Sequence, residues 1–351
     1  MTYVDPHVHC RDFPKQEHKE TIAHALTVAR DSGVLAIFDM PNTDPPVMNV
    51  EIAKARLELA KRARVPEVFY GLYMGLTANP EQVKHAVAAY RELFPHVVGF
   101  KLYAGHSTGN LGVVRPEEQL LVYETLAQEG YEGVLAVHSE KESSMDAKQW
   151  DSDAPITHCF ARPLSAEIDS VIDQLTFSAA VHFRGKLHIP HISSSYAVDL
   201  VQHAKQQGGD ASCGVCPHHL FYDWSMMLGE HGLQYKMNPP LRPAGEPDAL
   251  LARLRDGRID WLETDHAPHA AHEKTGMSCA SGVVGLHSWD LFVEALRHYG
   301  FSEQRIEEVT FSNVLNRFGI DGITRKVHLR KDHRADYPYN PWDALESRIR
   351  M

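Results

Sequence analysis

The chain has 351 residues, of which 35 are Lys or Arg and 46 are Asp or Glu, giving a formal net charge of −11. This acidic balance, without a basic block, argues against nucleic acid and anionic membranes as partners. No apolar run reaches the length of a membrane span, the first residues lack a signal-peptide pattern, and five cysteines do not suggest a disulfide scaffold. We therefore predict a cytoplasmic protein in which any anionic ligand is met by cations placed locally around it.

Short apolar runs alternate with longer segments of helical period, which is typical of repeated βα units. Eight strands are predicted, at Tyr3–His9, Val34–Met40, Val68–Met74, Val97–Leu102, Val134–His138, Lys186–His191, Ala211–Val215 and Ile259–Thr264. The helices predicted between them are Glu17–Ser32, Val50–Arg64, Pro80–Leu93, Pro116–Gln128, Ser165–His182, Tyr196–Gln207 and Pro247–Asp256. Two further helices are predicted after the last strand, at Ser288–Tyr299 and Glu303–Asn316.

This alternation predicts an α/β fold, a single (β/α)8 TIM-type barrel domain over residues 1–351, with a polar tail over residues 319–351 wrapping the barrel. A doubly wound open sheet is the alternative, but no glycine-rich phosphate loop follows the first strand. In a (β/α)8 barrel the catalytic groups lie at the carboxyl ends of the strands. The ends of the predicted strands are therefore where the chemistry is expected.

Six side chains of ligand type stand at or next to five of these strand ends: His7, His9, Lys101, His138, His191 and Asp265. His7 and His9 point to the same side of their strand, because residues two apart share a face. Imidazole and carboxylate suit zinc and similar divalent ions, whereas a lysine ammonium does not. Lys101 would become a bridging carboxylate ligand if carbon dioxide carbamylated its amine. A single strand-end histidine is commonly a core residue, but six convergent groups favour a metal centre.

Seven motifs occur in an order that resembles the dihydroorotases of the amidohydrolase superfamily, and they extend from residue 5 to about residue 285. They are Asp5-Pro6-His7-Val8-His9-Cys10-Arg11, Met40-Pro41-Asn42-Thr43, Phe100-Lys101-Leu102-Tyr103, His191-Ile192-Ser193, Pro217-His218-His219-Leu220, Met237-Asn238-Pro239-Pro240-Leu241-Arg242 and Thr264-Asp265-His266-Ala267-Pro268-His269. The resemblance implies reversible hydrolysis of (S)-dihydroorotate to N-carbamoyl-L-aspartate in pyrimidine biosynthesis. It also implies a homodimer.

The resemblance assigns a role to each ligand-type residue. It implies two divalent ions, with Zn2+ expected, one held by His7, His9 and Asp265. The other is held by His138 and His191, with carbamylated Lys101 bridging the two. Asp265 is also implied to be catalytic, taking a proton from the attacking water and passing it to the leaving nitrogen.

A second group of residues is implied to contact the substrate. Arg11 and Asn42 match the pair that holds the substrate carboxylate, and His269 joins them from the loop after the last strand. Asn238 and the backbone of Ser281 and Gly282 are further contacts in some branches of the family. Thr108, in a small polar loop, resembles the residue that closes over substrate, although an ordinary surface turn is the alternative.

The motifs mix two branches of the family. The stretch around Lys101 resembles a short, lysine-bearing branch. The motifs at Pro217 and Asp265 resemble a longer branch, which often has aspartate at the bridging position and adds a small β-domain. Because the first strand begins at Tyr3 and the tail lacks apolar strands, we expect that small domain to be absent.

Two other functions stay open from the sequence. Another cyclic amidase, such as a hydantoinase or an allantoinase, would share the metal residues but would not be expected to carry Arg11 and Asn42. A catalytically inactive scaffold homologue is predicted to lack ligands, and all six are present. The spacing of Cys213 and Cys216 is interpreted as barrel packing, and His218 and His219 as residues that shape their loop.

Overall fold

Eight short and mostly buried segments form the strands of one parallel sheet in the computed structural model, which describes residues 1–13, 15–107, 111–324 and 330–351. The strands are β1 (Tyr3–Val8), β2 (Val34–Asp39), β3 (Phe69–Gly75), β4 (Val97–Tyr103), β5 (Val134–His138), β6 (Lys186–Ile189), β7 (Ala211–Val215) and β8 (Trp261–Leu262). Each strand pairs with the next along the chain. The backbone N–H of His9 donates to the carbonyl of His266 at 2.8 Å, which joins the end of β1 to the segment after β8. The predicted (β/α)8 barrel is confirmed.

Helices cover the outside of the barrel and bury their apolar faces against the strands. They are α1 (Ile22–Ser32), α2 (Val50–Arg62), α3 (Pro80–Leu93), α4 (Pro116–Gln128), α5 (Thr157–Ala161), α6 (Leu164–Ala180), α7 (Ser195–Gln206), α8 (Pro217–Phe221), α9 (Glu246–Arg255), α10 (Trp289–His298), α11 (Glu303–Glu307), α12 (Asn313–Phe318) and α13 (Asp343–Arg350). The predicted bounds of α3 and α4 are confirmed, as is the position of a proline in the first turn of each.

The first predicted helix begins too early. The prediction started it at Glu17, but α1 begins at Ile22 because the side chain of Thr21 caps it by accepting from the backbone N–H of His24. Glu20, just before the cap, is buried and bonded to His24, His266 and Tyr337. A residue with partners on three separate segments cannot be recognised from a local periodicity.

Two other predicted elements are wrong in their bounds. The helix predicted over Glu303–Asn316 is α11 and α12 joined by a π-helical turn over Glu308–Ser312. The strand predicted over Ile259–Thr264 is reduced to β8, because the backbone N–H of Thr264 donates to the carboxylate of Asp5 and not to a strand. The short helices α5, α8 and α13 were not predicted.

The described parts of the tail lie against the barrel and reach the loop after β8. The indole N–H of Trp342 donates to the carbonyl of Val284 at 2.6 Å, and the hydroxyl of Tyr339 donates to the carbonyl of Gly282 at 3.3 Å. His333 is bonded to Asp31 of α1 at 2.9 Å. All strands of the described residues belong to the barrel sheet, and none of the described helices is long and apolar enough to cross a bilayer.

Candidate metal centre and substrate pocket

Two of the predicted histidine ligands converge on a carboxylate oxygen of the third ligand, Asp265, at the mouth of the barrel. The Nε2 atoms of His7 and His9 lie 3.3 and 2.9 Å from Oδ1 of Asp265. All three residues are buried, so the donor atoms face each other and not solvent. Two imidazoles and a carboxylate in this arrangement form a three-ligand set for a divalent cation.

The other two histidines form a second set beside the first. Nδ1 of His138, the last residue of β5, lies 3.4 Å from Nε2 of His191, which follows β6. The ring centroids of His7 and His191 are 5.1 Å apart, so the two sets are neighbours. The five predicted imidazole and carboxylate ligands therefore meet in one place, as the sequence predicts.

Lys101 lies among these side chains on β4. It is 1% exposed, and in the described part of the chain its Nζ atom has no hydrogen-bond partner. Burial lowers the pKa of Lys101 to about 8. A buried amine surrounded by imidazoles and without a partner is costly as an ammonium. This donor set fits a divalent metal, and it fits a lysine that has been converted to an anionic ligand.

Two of the candidate ligands have an unusual backbone. His191 and Asp265 have φ angles of 43° and 49°, in the left-handed region that residues other than glycine rarely adopt. Such strain persists where the surroundings hold it, and it is concentrated at functional sites. The N–H of His191 is held by the carboxylate of Glu263 at 2.5 Å. Both residues lie just beyond their strands, and their side chains line the pocket at the barrel mouth.

Outer partners orient the histidines. Nε2 of His138 lies 2.9 Å from the buried carboxylate of Glu140, which is also paired with Arg162. Burial raises the pKa of Glu140, but the charge of Arg162 and the bond to His138 outweigh it and keep the carboxylate ionised. A carboxylate on the far nitrogen fixes the tautomer of a ligating histidine. Nδ1 of His138 faces the centre, since it lies 3.4 Å from Nε2 of His191.

Arg11 and Asn42 line the same pocket as the candidate ligands. Arg11 is 2% exposed, its Nε has no hydrogen-bond partner, and no carboxylate of the described residues forms an ion pair with it. The amide oxygen of Asn42 accepts from Nδ1 of His9 at 2.7 Å, which joins Asn42 to a candidate metal ligand. The pocket thus holds a buried cation that has no ion pair with a carboxylate of the described residues.

A buried network holds the turn that carries Arg11. The backbone N–H of Cys10 donates to Asp39 at 2.8 Å, and Asp39 is paired with Arg56 and accepts from Tyr70. Arg56 is fully buried and also donates to the carbonyl of Cys10 at 2.5 Å. The guanidinium of Arg56 therefore stabilises the fold through these partners, in contrast to that of Arg11.

The loop 279–282 forms one wall of the pocket through Ser281 and Gly282. Lys274 is 5% exposed, and its Nζ donates at 3.0, 3.1 and 2.9 Å to the carbonyls of Lys236, Ala280 and Gly282. Nζ of Lys236 donates to the carbonyl of Cys279 and the hydroxyl of Ser281, at 2.7 and 2.8 Å. Two buried ammonium groups with carbonyl and hydroxyl partners therefore fix the loop. Burial lowers the pKa of Lys274 to about 7 and that of Lys236 to about 8.

Replacing Lys274 with methionine should raise the KM for an anionic substrate about tenfold, or about 1.4 kcal/mol, and change kcat and metal content little. The variant removes one donor from the carbonyls of Lys236, Ala280 and Gly282, and it removes a positive charge near the pocket. The carbonyls of Lys236 and Gly282 keep a second donor, the N–H of Gly282 and the hydroxyl of Tyr339, so a moderate effect is expected. Steady-state kinetics with metal analysis measures the split between KM and kcat. The control is Lys84→Met, which replaces an exposed lysine of α3 and should behave as wild type. An unchanged KM in Lys274→Met would show that the loop keeps its shape without the ammonium.

The remaining predicted contacts differ in placement. Asn238 lines the pocket, with its amide nitrogen 3.3 Å from the hydroxyl of Ser107. His269 is buried behind the loop 279–282, where its Nε2 is 3.0 Å from the carbonyl of Ser281, and it is not among the residues that line the pocket. Burial lowers the pKa of His269 to about 2. Thr108, the predicted lid residue, lies outside the described residues.

Sequence reasoning missed several residues of the site. Tyr103 lines the pocket with a buried hydroxyl that has no partner among the described residues, and its ring lies 5.4 Å from Nζ of Lys101. Its position two residues after Lys101 on β4 could have predicted this. Lys236 and Lys274 carry no such signal, because their role depends on carbonyls that only the folded loop brings together.

Comparison with curated proteins gives relatives of one kind. A dihydroorotase of Halobacterium salinarum is 32% identical over 351 residues, covering 98% of this chain and 77% of that protein. A dihydroorotase of Methanosarcina mazei is 30% identical over 353 residues, covering 95% and 72%. One of Anaplasma phagocytophilum is 32% identical over 297 residues, covering 81% of this chain and 61% of that protein. The chain thus spans only part of each relative's length. No protein-family model matches it.

Solved structures with the same barrel are more distant in sequence. The L-hydantoinase (dihydropyrimidinase) of Arthrobacter aurescens has a TM-score of 0.81 at 23% identity, covering 94% of this chain and 74% of that one. The dihydropyrimidinase of Brevibacillus agri has a TM-score of 0.78 at 18% identity, covering 94% and 73%. At this level of identity the likeness supports the fold alone.

The curated relatives place the chain among the cyclic amide hydrolases of the amidohydrolase superfamily, and the convergent histidine, lysine and aspartate side chains at the barrel mouth fit that class. Within that superfamily, the identity to curated relatives over nearly the whole chain decides the branch. The chain belongs to the dihydroorotase family.

Proposed function

We propose that the chain catalyses the reversible hydrolysis of (S)-dihydroorotate to N-carbamoyl-L-aspartate, a step of de novo pyrimidine synthesis. The observation that carries this proposal is Arg11, a buried cation without a carboxylate partner in the described part of the chain, beside the candidate metal ligands. Burying an unpaired guanidinium is unfavourable, and an anionic ligand removes that penalty. A hydantoinase substrate without a carboxylate would leave Arg11 unpaired.

The candidate ligands divide into two sets with Lys101 beside them. In this proposal His7, His9 and Asp265 hold one divalent ion, and His138 and His191 hold the other. Carbamylated Lys101 would serve as a further anionic ligand, and Zn2+ is the proposed metal because imidazole and carboxylate ligands suit it. When bound, the ions lower the pKa of water and polarise the amide carbonyl.

The protein side chains then position the substrate and move the proton. Arg11 binds the substrate carboxylate through two parallel N–H donors, and Asn42, which lines the same pocket, contacts the carboxylate beside it. Asp265 lines the pocket and takes a proton from the attacking water before giving it to the leaving ring nitrogen. His269 supports this pocket through its contact with the carbonyl of Ser281.

The test is the rate of hydrolysis of dihydroorotate compared with dihydrouracil, which has the same ring without the carboxylate. The proposal expects turnover of dihydroorotate that is lost with a chelator and restored by Zn2+, and far slower turnover of dihydrouracil. The reverse preference would favour a dihydropyrimidinase, the activity named for two of the structural neighbours. No turnover of either substrate by the metal-loaded protein would favour an inactive homologue.

We also propose that the protein is a homodimer. Light scattering measures its mass in solution and tests this.

A further inference from the structure

A second group of ligand-type side chains lies at the end of β7. Cys216, His218 and His219 are 0, 1 and 2% exposed. Each offers one donor atom, and these three atoms lie within 4.8 Å of one another. Cys216 directly follows β7, and the two histidines lie in the first turn of α8. Three convergent donors, fully shielded from solvent, are unusual as ordinary barrel packing.

The histidines of this cluster have unused hydrogen-bonding atoms. In the described part of the chain neither ring nitrogen of His218 has a partner, although both are buried. Nδ1 of His219 also has no partner, while its Nε2 lies 3.0 Å from the carbonyl of Pro239. Buried polar atoms without partners are rare and call for a bound water or ion. A histidine held by a backbone carbonyl on one nitrogen and open on the other is oriented as metal-ligating histidines are.

The cluster is separate from the pocket that holds the candidate catalytic residues, since none of its three members lines that pocket. It is also separate from Cys213, which lies on β7 itself. The sulfur of Cys213 lies 3.7 Å from the carbonyl oxygen of Arg258, so this thiol has a partner of its own. Among the described residues the thiol of Cys216 has no hydrogen bond. The expectation of packing thus fits Cys213, but Cys216 needs another explanation.

We propose that Cys216, His218 and His219 bind one further metal ion of the zinc class, in addition to the catalytic ions. A thiolate and two imidazoles are a ligand set for Zn2+, and Co2+ binds the same kind of site. Donors bound to one zinc ion at about 2.0–2.3 Å lie within about 4 Å of each other, so small side-chain rotations complete the site. The ion supplies a partner for one ring nitrogen of His218 and for Nδ1 of His219, and a water molecule fills the fourth position.

This ion stabilises a wall of the substrate pocket. His219 is bonded to the carbonyl of Pro239, and the preceding residue, Asn238, lines the pocket. An ion on the other nitrogen of His219 fixes the ring and with it the segment that carries Asn238. Loss of the ion should therefore raise KM several-fold, while the residues that hold the catalytic ions stay in place.

The test is Co2+ binding to the chelator-stripped protein, followed by near-ultraviolet absorption and by counting the bound ions. The catalytic residues offer nitrogen and oxygen ligands, so a thiolate-to-Co2+ charge-transfer band reports the proposed site alone. Wild type is expected to show the band and one more equivalent of metal than Cys216→Ala, which should lack the band. His218→Gln should weaken the binding of this ion at least tenfold.

The matched control is Cys213→Ala, which replaces an equally buried cysteine three residues earlier, on β7, and should keep the band and the metal content of wild type. A wild-type protein without the band has a buried water or plain packing at this position, and the proposal is then wrong. A band that persists in Cys216→Ala and disappears in Cys213→Ala would assign the thiolate to the other cysteine. The wild-type spectrum decides the matter even where Cys216→Ala does not fold, and the band does not depend on the proposed catalytic activity.

Discussion

Lys101→Ala should lose bound metal and lower kcat/KM at least about a thousandfold, or about 4 kcal/mol of transition-state stabilisation. The variant removes the group that, in the proposed site, bridges two cations and neutralises part of their charge. Without it, four imidazoles and one carboxylate must hold two divalent ions with a single negative charge among them. Metal analysis and dihydroorotate hydrolysis measure the two losses. Short carboxylic acids should restore part of the activity, because they supply the missing carboxylate.

The control for this prediction is Lys186→Ala. Lys186 also lies on a barrel strand, but at the amino end of β6, where its Nζ donates to the carbonyl of Arg317 at 2.7 Å. This variant should keep its metal and its activity. Full metal content and activity in Lys101→Ala would mean that the bridge is dispensable and that the unpartnered amine of Lys101 has another explanation.

The fold could be predicted because its signal is local and repeated. Alternation of apolar runs with helical segments is a property of neighbouring residues, and Pro80 and Pro116 mark helix starts by their own chemistry. Errors arose where distant side chains decide the outcome. Glu20, which lies just before α1, is bonded to the distant residue His266. The carboxylate of Asp5 accepts from the N–H of Thr264, and β8 is shorter for that reason.

The convergence of the candidate ligands could be predicted for the same reason. In a parallel barrel every strand end lies on one rim, so a histidine at a strand end is placed before any contact is known. The backbone strain at His191 and Asp265 could not be predicted. At His191 it depends on the carboxylate of Glu263, just after β8, which accepts from the backbone N–H of His191. The support of the loop 279–282 by Lys274 depends on a loop conformation that no periodicity encodes.

The two arginines near Cys10 illustrate why residue type alone does not assign a role. Arg11 and Arg56 are both buried, with exposures of 2% and 0%. Arg56 is paired with Asp39 and donates to a backbone carbonyl, whereas in the described part of the chain Arg11 has no carboxylate partner. The difference is visible in the partners and not in the sequence. It makes Arg11 the residue whose replacement separates substrate recognition from structure.

Arg11→Met should strongly lower kcat/KM for dihydroorotate hydrolysis while both metal ions stay bound. Loss of a charged hydrogen bond to a buried carboxylate costs about 2–5 kcal/mol, which lowers kcat/KM roughly 30-fold to several-thousand-fold. Methionine keeps most of the side-chain volume, so the thermal midpoint should change little. Hydrolysis of dihydrouracil, which has no carboxylate, should change far less. The ratio of the two kcat/KM values is the measurement, because a general loss of active protein lowers both equally.

Arg11→Lys separates the effect of charge from that of hydrogen-bond geometry, because it keeps the positive charge and removes the planar pair of N–H donors. If Arg11 reads the carboxylate by two parallel hydrogen bonds, the lysine variant should recover only part of the selectivity for dihydroorotate. If it acts through charge alone, Arg11→Lys should resemble wild type. Should Arg11→Met handle both substrates as wild type does, the buried guanidinium does not bind the carboxylate. The proposed substrate would then lose the observation that separates it from those of other cyclic amidases.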